Sequence, residues 1–216
     1  MFEKYKKSFV AVFAVLLMVG CSSKSEVSEY DKPALYWYKN IVESIAKSNF
    51  DKADNYYVSL RSEHMRSPLL PTATLLLAQA HMADKSYIMS DYYLDEYLKK
   101  YATKNSVEQI KFLKIKAAFL GLKDINRDQK LMMDTLKEVD GFIQTYPRSP
   151  YRPLVDTLKV RLHMAQYLLN ENIARLYDRV DKPKAAKIYR EKNTKSPLNG
   201  ADIEPPKEGL LDRLFN

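Results

Sequence analysis

The chain has 216 residues, 46% of them hydrophobic, and a formal charge of +8; that suffices for one compact or elongated domain and falls short of two independent cores. Five glycines are too few for a β-rich chain full of tight turns, and the weight of Leu, Lys, Ala, Met and Glu favours helices joined by short connectors. A basic balance raises nucleic acid as a partner, but the lysines are scattered beside Asp or Glu. That is the pattern of a solvated face, or of attraction to anionic lipid head groups or an acidic partner.

The N-terminus reads as a processing signal over 1–20. Lys4, Lys6 and Lys7 form a basic start, and 8–19 is apolar at eleven of its twelve positions, too short for a comfortable permanent anchor. It ends in Leu17-Met18-Val19-Gly20-Cys21, a small residue directly before the only cysteine. This resembles the lipobox of bacterial lipoproteins, with Met18 where leucine is usual, and implies cleavage before Cys21 and lipid attachment to its thiol. An ordinary signal peptide with a chance cysteine behind it is the alternative. Cleavage removes three lysines and one glutamate, taking the formal charge from +8 to +6, and export leaves nucleic acid out as a partner. By the same resemblance, Ser22 where an aspartate would retain the protein at the inner membrane is compatible with the outer membrane. The rest of 21–33 is polar and aperiodic up to Pro33, a lipidated flexible tether.

Helical periodicity then takes over. Ala34, Trp37, Tyr38, Ile41, Val42 and Ile45 share one face, Asp51 is placed to cap the next helix, and Ala53, Tyr56, Tyr57, Leu60 and His64 continue the period. The 67–71 segment, with Pro68 and Pro71, breaks the chain before a second pair: 72–83 is apolar almost all round, as in a helix wedged between two neighbours, and Tyr87, Ser90, Leu94, Leu98 and Tyr101 mark its partner. A third pair has Ile110, Leu113, Ala117 and Leu120 on a helix over 107–122, then Leu131, Thr135, Val139, Phe142 and Tyr146 on a helix capped by Asn126 or Asp128. Tyr146-Pro147 stops it. Ser149 and Pro150 suit the start of a long helix carrying Leu154, Leu158, Leu162, Ala165, Leu169, Ile173, Leu176 and Val180, and Asp181-Lys182-Pro183 turns it into a shorter helix through Ala186 and Tyr189.

Second-helix starts near Asp51, Tyr87 and Asp128 are offset by 36 and 41 residues, against about 34 in tetratricopeptide repeats. A hairpin cannot bury its own apolar faces, so the expected fold is all-α: an α-solenoid of about four tetratricopeptide-like hairpins over 34–194. A non-repeat tail over 195–216 follows, in which Leu210, Leu211, Leu214 and Phe215 form an amphipathic turn or two; it reads equally as a frayed end or a docking segment.

No catalytic or metal constellation stands out. His64, His81 and His163 fall on different helices without a second ligand at metal spacing and read as helix-surface or boundary residues. Asp95-Glu96 point apart on a helix, Cys21 is committed to lipid, and glycine-rich phosphate loops are absent. The expectation is a binder without enzyme activity, cofactor or metal. Its means would be aromatic: Tyr36, Trp37, Tyr38, Tyr56, Tyr57, Tyr87, Tyr92, Tyr93 and Tyr97 crowd the first two hairpins, and at least three are expected to line a groove for an extended peptide or partner loop.

The lipobox, the tether, the aromatic first hairpin and the joint Tyr146-Pro147-Arg148-Ser149-Pro150-Tyr151 before a long helix together resemble the BamD family, also called ComL or YfiO, lipoproteins of the outer-membrane β-barrel assembly machinery. The resemblance runs from Cys21 to about Arg190. It implies a lipid anchor on the periplasmic face of the outer membrane and binding to a BamA-like barrel protein, to unfolded outer-membrane protein precursors and to other Bam lipoproteins. By position, the tyrosines become substrate-groove candidates, and Arg175, Arg179 and Arg190 become candidates for the BamA contact, where guanidinium forks suit carboxylates and carbonyls. Family members usually carry a fifth hairpin, and here only the tail follows residue 195. The alternative function is a periplasmic repeat scaffold for cell-wall enzymes or a secretin or pilus complex.

Overall fold

A computed structural model describes residues 29–199, and these form helices with no strand among them. In chain order the helices are α1 (Ala34–Ala46), α2 (Phe50–Glu63), α3 (Leu69–Ala83), α4 (Tyr87–Lys100), α5 (Lys104–Leu120), α6 (Gln129–Thr145), α7 (Arg152–Arg179) and α8 (Pro183–Thr194). They pair as α1–α2, α3–α4, α5–α6 and α7–α8, and each pair packs on the next. The signal segment and Cys21 lie outside the described residues, as does the tail beyond 199.

Three of the four hairpin turns share one backbone solution. The residue after each C-cap, Ser48, Lys85 and Asp181, is left-handed, with φ of 55°, 65° and 53°. The following N–H reaches back five residues: Asn49 to the Ser44 carbonyl at 2.9 Å, Ser86 to His81 at 2.8 Å and Lys182 to Tyr177 at 2.9 Å. This Schellman closure satisfies carbonyls the helix end leaves open, and it offsets the roughly 1–2 kcal/mol that a left-handed non-glycine residue costs. The chain thus makes its tight turns without spending glycines on them. The α5–α6 connection differs, with Gly121 in the right-handed region at φ −75° and the loop pinned by the Asp128 carboxylate, which accepts from the N–H groups of Lys123 and Asp124 at 3.0 Å each.

α5 is the helix on which the two halves meet. Ile110 and Ala117 close the core built by Trp37, Ile41, Tyr57, Leu60, Leu77 and Leu94. Phe112, Ile115 and Phe119 enter a second core with Met132, Val139, Phe142, Leu162 and Leu169. Lys114 on the same helix reaches back to α4, 2.8 Å from Asp91 and 2.5 Å from Asp95. Burial disfavours its charge, but the two carboxylates outweigh that and hold its pKa above the ordinary lysine value.

Several expected positions shift. Leu131 is 39% exposed, and Met132 and Leu136 take the core face of α6 instead. Val42 on α1 is exposed, as are Leu154, Leu176 and Val180 at α7, which turns Val155, Leu168 and Ala174 inward instead. α5 begins at Lys104, capped by a reciprocal Thr103–Ser106 box. Asn49 caps α2 by accepting from the Lys52 N–H at 3.2 Å, so Asp51 lies within the first turn. Ser149 does not cap α7, which starts at Arg152; its hydroxyl accepts from the Tyr151 N–H at 3.0 Å and shapes the turn before the helix.

Gly141 sits inside α6, and an added Cβ would meet nothing within 4 Å. Gly141→Ala is therefore expected to stabilise the protein by about 0.5–1 kcal/mol, read as a higher denaturant midpoint at unchanged slope.

Candidate interaction surface

The crowded aromatics divide by burial. Trp37, Tyr57 and Tyr93 are 1%, 1% and 2% exposed, core residues and not groove residues, because small neighbours such as Ala53, Ala73 and Ala78 leave room for rings between the helices. Tyr36, Tyr56 and Tyr87 lie half-buried against the same core. Tyr92 is exposed, its ring edge-on to Tyr93 at 5.2 Å. Of the nine, two rather than the expected three or more share a groove: Tyr38 of α1 and Tyr97 of α4 line a space of about 260 Å³ against the Pro71, Thr72, Leu75 and Leu76 stretch of α3. The groove offers apolar area with phenols at its edge, suited to an extended segment with alternating apolar side chains.

Beneath that surface lies a polar layer that periodicity does not reveal. The Glu96 carboxylate is buried on α4 and accepts from the Tyr57 hydroxyl at 2.8 Å, from Arg61 at 3.0 Å and from Lys100 at 3.0 Å. Tyr57 also lies 2.7 Å from the Thr74 hydroxyl of α3, so one cluster ties α2, α3 and α4. Next to it, the Tyr93 hydroxyl donates to Asp54 at 2.7 Å, and Nε2 of His81 is 3.0 Å from the same oxygen. His81 is only 3% exposed, a core residue where a surface or boundary position was expected. Burial pushes both phenols well above the ordinary tyrosine range. The signal in the sequence is Thr74, a small polar residue on the otherwise apolar 72–83 stretch.

At the other end, a larger groove of about 880 Å³ runs between the start of α6 and the second half of α7. Leu169, Ile173 and Leu176 form its apolar floor, and Arg175 and Arg179 stand at its rim. The structure thus brings two of the three candidate arginines together. Arg190 of α8 is instead tied to Asp178 at 2.5 Å and clasps the α7–α8 turn. Inside that hairpin Asn170 donates to Asn193 at 2.9 Å, and Asn193 donates in turn to the Tyr167 carbonyl at 3.1 Å and to Glu171 at 3.0 Å.

The Tyr146–Tyr151 joint is a packing device. Tyr151 stacks on Phe112 at 4.6 Å, and Tyr146 lies against Phe142 at 5.1 Å with the Lys111 ammonium 5.5 Å from its ring. Both anchors grip the third hairpin, which sets the angle at which the long α7 leaves.

Stacked hairpins with grooves at either end, joined by a shared helix, define an α-helical repeat protein of the binding class. The family model described as YfiO, outer membrane lipoprotein, matches residues 30–193. The chain is 38% identical over 192 residues to the outer membrane protein assembly factor BamD of Helicobacter pylori, covering 88% of this chain and 87% of that protein. It is 22% identical over 147 residues to the assembly factor of the same name from Caulobacter vibrioides, across 67% of this chain and 48% of that protein. A putative BamD of Aquifex aeolicus is 27% identical over 124 residues, 55% of this chain and 39% of that one. The chain belongs to the YfiO family of outer membrane lipoproteins.

Proposed function

We propose that this chain is a lipoprotein of the outer-membrane β-barrel assembly machinery, held at the periplasmic face of the outer membrane by acyl chains on Cys21. It binds a BamA-like barrel protein and incoming outer-membrane protein precursors, supports their folding and insertion, and catalyses no covalent step. The observation that carries this reading is the 38% identity to a BamD over 87% of that protein's length. In domain terms, 1–20 is the cleaved signal, 21–33 the tether, 34–194 the working solenoid and 195–216 an appended tail.

The two grooves divide the labour. The Tyr38–Tyr97 groove takes precursor segments, and the Arg175–Arg179 rim faces the barrel protein. Because Arg190 is already paired with Asp178, its contribution is to hold α7 and α8 together. Reversing the rim charges with Arg175→Glu and Arg179→Glu is expected to cut recovery of the barrel protein about tenfold or more in co-purification from mild detergent, with the lipoprotein itself intact. Undiminished recovery would move the barrel contact elsewhere. If the unmodified chain recovers peptidoglycan enzymes or a secretin and no large barrel protein, the scaffold role replaces the assembly role.

A further inference from the structure

The groove on α7 has an occupant at hand. α8 is fixed by Asn193 to Tyr167, Asn170 and Glu171, so the chain leaves α8 beside the middle of α7, level with the start of the apolar floor at Leu169. From Asn199 to Leu210 the backbone has roughly 36 Å of reach, against roughly 11 Å along the helix from Leu169 to Leu176. The segment beyond carries Leu210, Leu211, Leu214 and Phe215 at a spacing that places them on one helical face. Over 200–216 the acidic residues Asp202, Glu204, Glu208 and Asp212 outnumber Lys207 and Arg213, and within 207–215 Glu208 and Asp212 balance the two basic residues. At the rim Arg175 and Arg179 are exposed and have no ion pair among the described residues, whereas Asp178 is neutralised by Arg190. The floor is apolar and open, with Leu176 49% exposed.

We propose that residues 207–215 dock into the α6–α7 groove of their own chain, with Leu211 and Leu214 on the Leu169–Ile173–Leu176 floor and Glu208 and Asp212 facing Arg179 and Arg175. The tail then covers the exposed part of the α7 floor. Where the barrel protein uses the same rim, it binds by displacing the tail; that consequence rests on the function proposed above, and the docking itself does not.

The test uses the full chain, purified from membranes in mild detergent without partners, with Phe215 replaced by the photoreactive p-benzoylphenylalanine. Mass spectrometry is expected to find the cross-link within one molecule, on the peptide spanning 169–179. Cross-links to a second copy, to a co-purified protein, to another face of the chain, or none at all, would overturn the proposal. In parallel, Leu211→Asp with Leu214→Asp in the full chain is expected to lower hydrogen-exchange protection across 169–179 about tenfold while 104–120 is unchanged. Equal protection in both proteins would also overturn it. Neither readout depends on barrel assembly, so a failure here is distinct from a failure of the proposed function.

Discussion

Trp37→Ala is expected to cost about 3–5 kcal/mol, the largest effect of any single truncation in the first hairpin. Trp37 is 1% exposed and is the largest side chain in the N-terminal core. Its ring touches Tyr36 and Tyr56 at centroid distances of 5.2 and 6.0 Å. Its indole N–H donates to Glu63 at 2.8 Å, tying the start of α1 to the end of α2. Truncation therefore opens a cavity and strands an acceptor at once. In a stack that contacts only nearest neighbours the loss should be local, so amides of α1 and α2 lose hydrogen-exchange protection while those of α7 and α8 keep theirs. The result also separates core from groove. A Trp37 that served clients directly would yield a stable variant with weakened binding, and that outcome would contradict its placement here.

Glu96 carries the second large effect. Burial works against its charge, but the bonds from Tyr57, Lys100 and Arg61 prevail and hold its carboxyl below the usual range. Glu96→Ala leaves the Tyr57 hydroxyl without its acceptor and Arg61 and Lys100 without their counter-charge, a loss of about 2–4 kcal/mol at neutral pH. Glu96→Gln keeps an acceptor and should cost less. Because the folded carboxyl titrates below its unfolded value of about 4.3, the stabilisation is complete above that pH and fades as pH falls through the folded pKa. The gap between native protein and Glu96→Gln should accordingly be widest near pH 7 and narrow below about pH 4, measured by denaturant unfolding at each pH. A gap that is constant with pH would show that the charge on Glu96 does not matter.

Much of the architecture was legible because each helix has a face. The stripes through Ile41, Leu94, Val139 and Leu162 all reach the core, and the breaks at Tyr146-Pro147 and before Pro183 fall at helix ends, whereas the expected 67–71 break holds only to Pro68, because α3 begins at Leu69 and runs through Pro71. What periodicity could not supply is how many neighbours a helix has. Periodicity marks one stripe on α5, through Ile110 and Ala117, yet Phe112, Ile115 and Phe119 are buried on another face because a second hairpin covers it. On α7 the reverse holds: Leu176 and Val180 continue the stripe but are 49% and 51% exposed, Leu176 on the floor of the open α6–α7 groove.

The candidate surface was less legible, for a related reason. Tyrosine suits both a core and a groove, and its place depends on what lies opposite. Tyr57 and Tyr93 went inside because Glu96 and Asp54 accept from their hydroxyls there, and those carboxylates lie 39 residues away in each case. No local pattern encodes such a pairing. Arg175 and Arg179 needed only the spacing of one helix to come together, and they did.

Depletion of the chain in its own cell, followed by quantitation of outer-membrane proteins, tests the central claim most directly. The account predicts that β-barrel proteins fall together in the outer membrane, while lipoproteins of the same membrane keep their level. Normal barrel content alongside a defect in shape, division or secretion would contradict it.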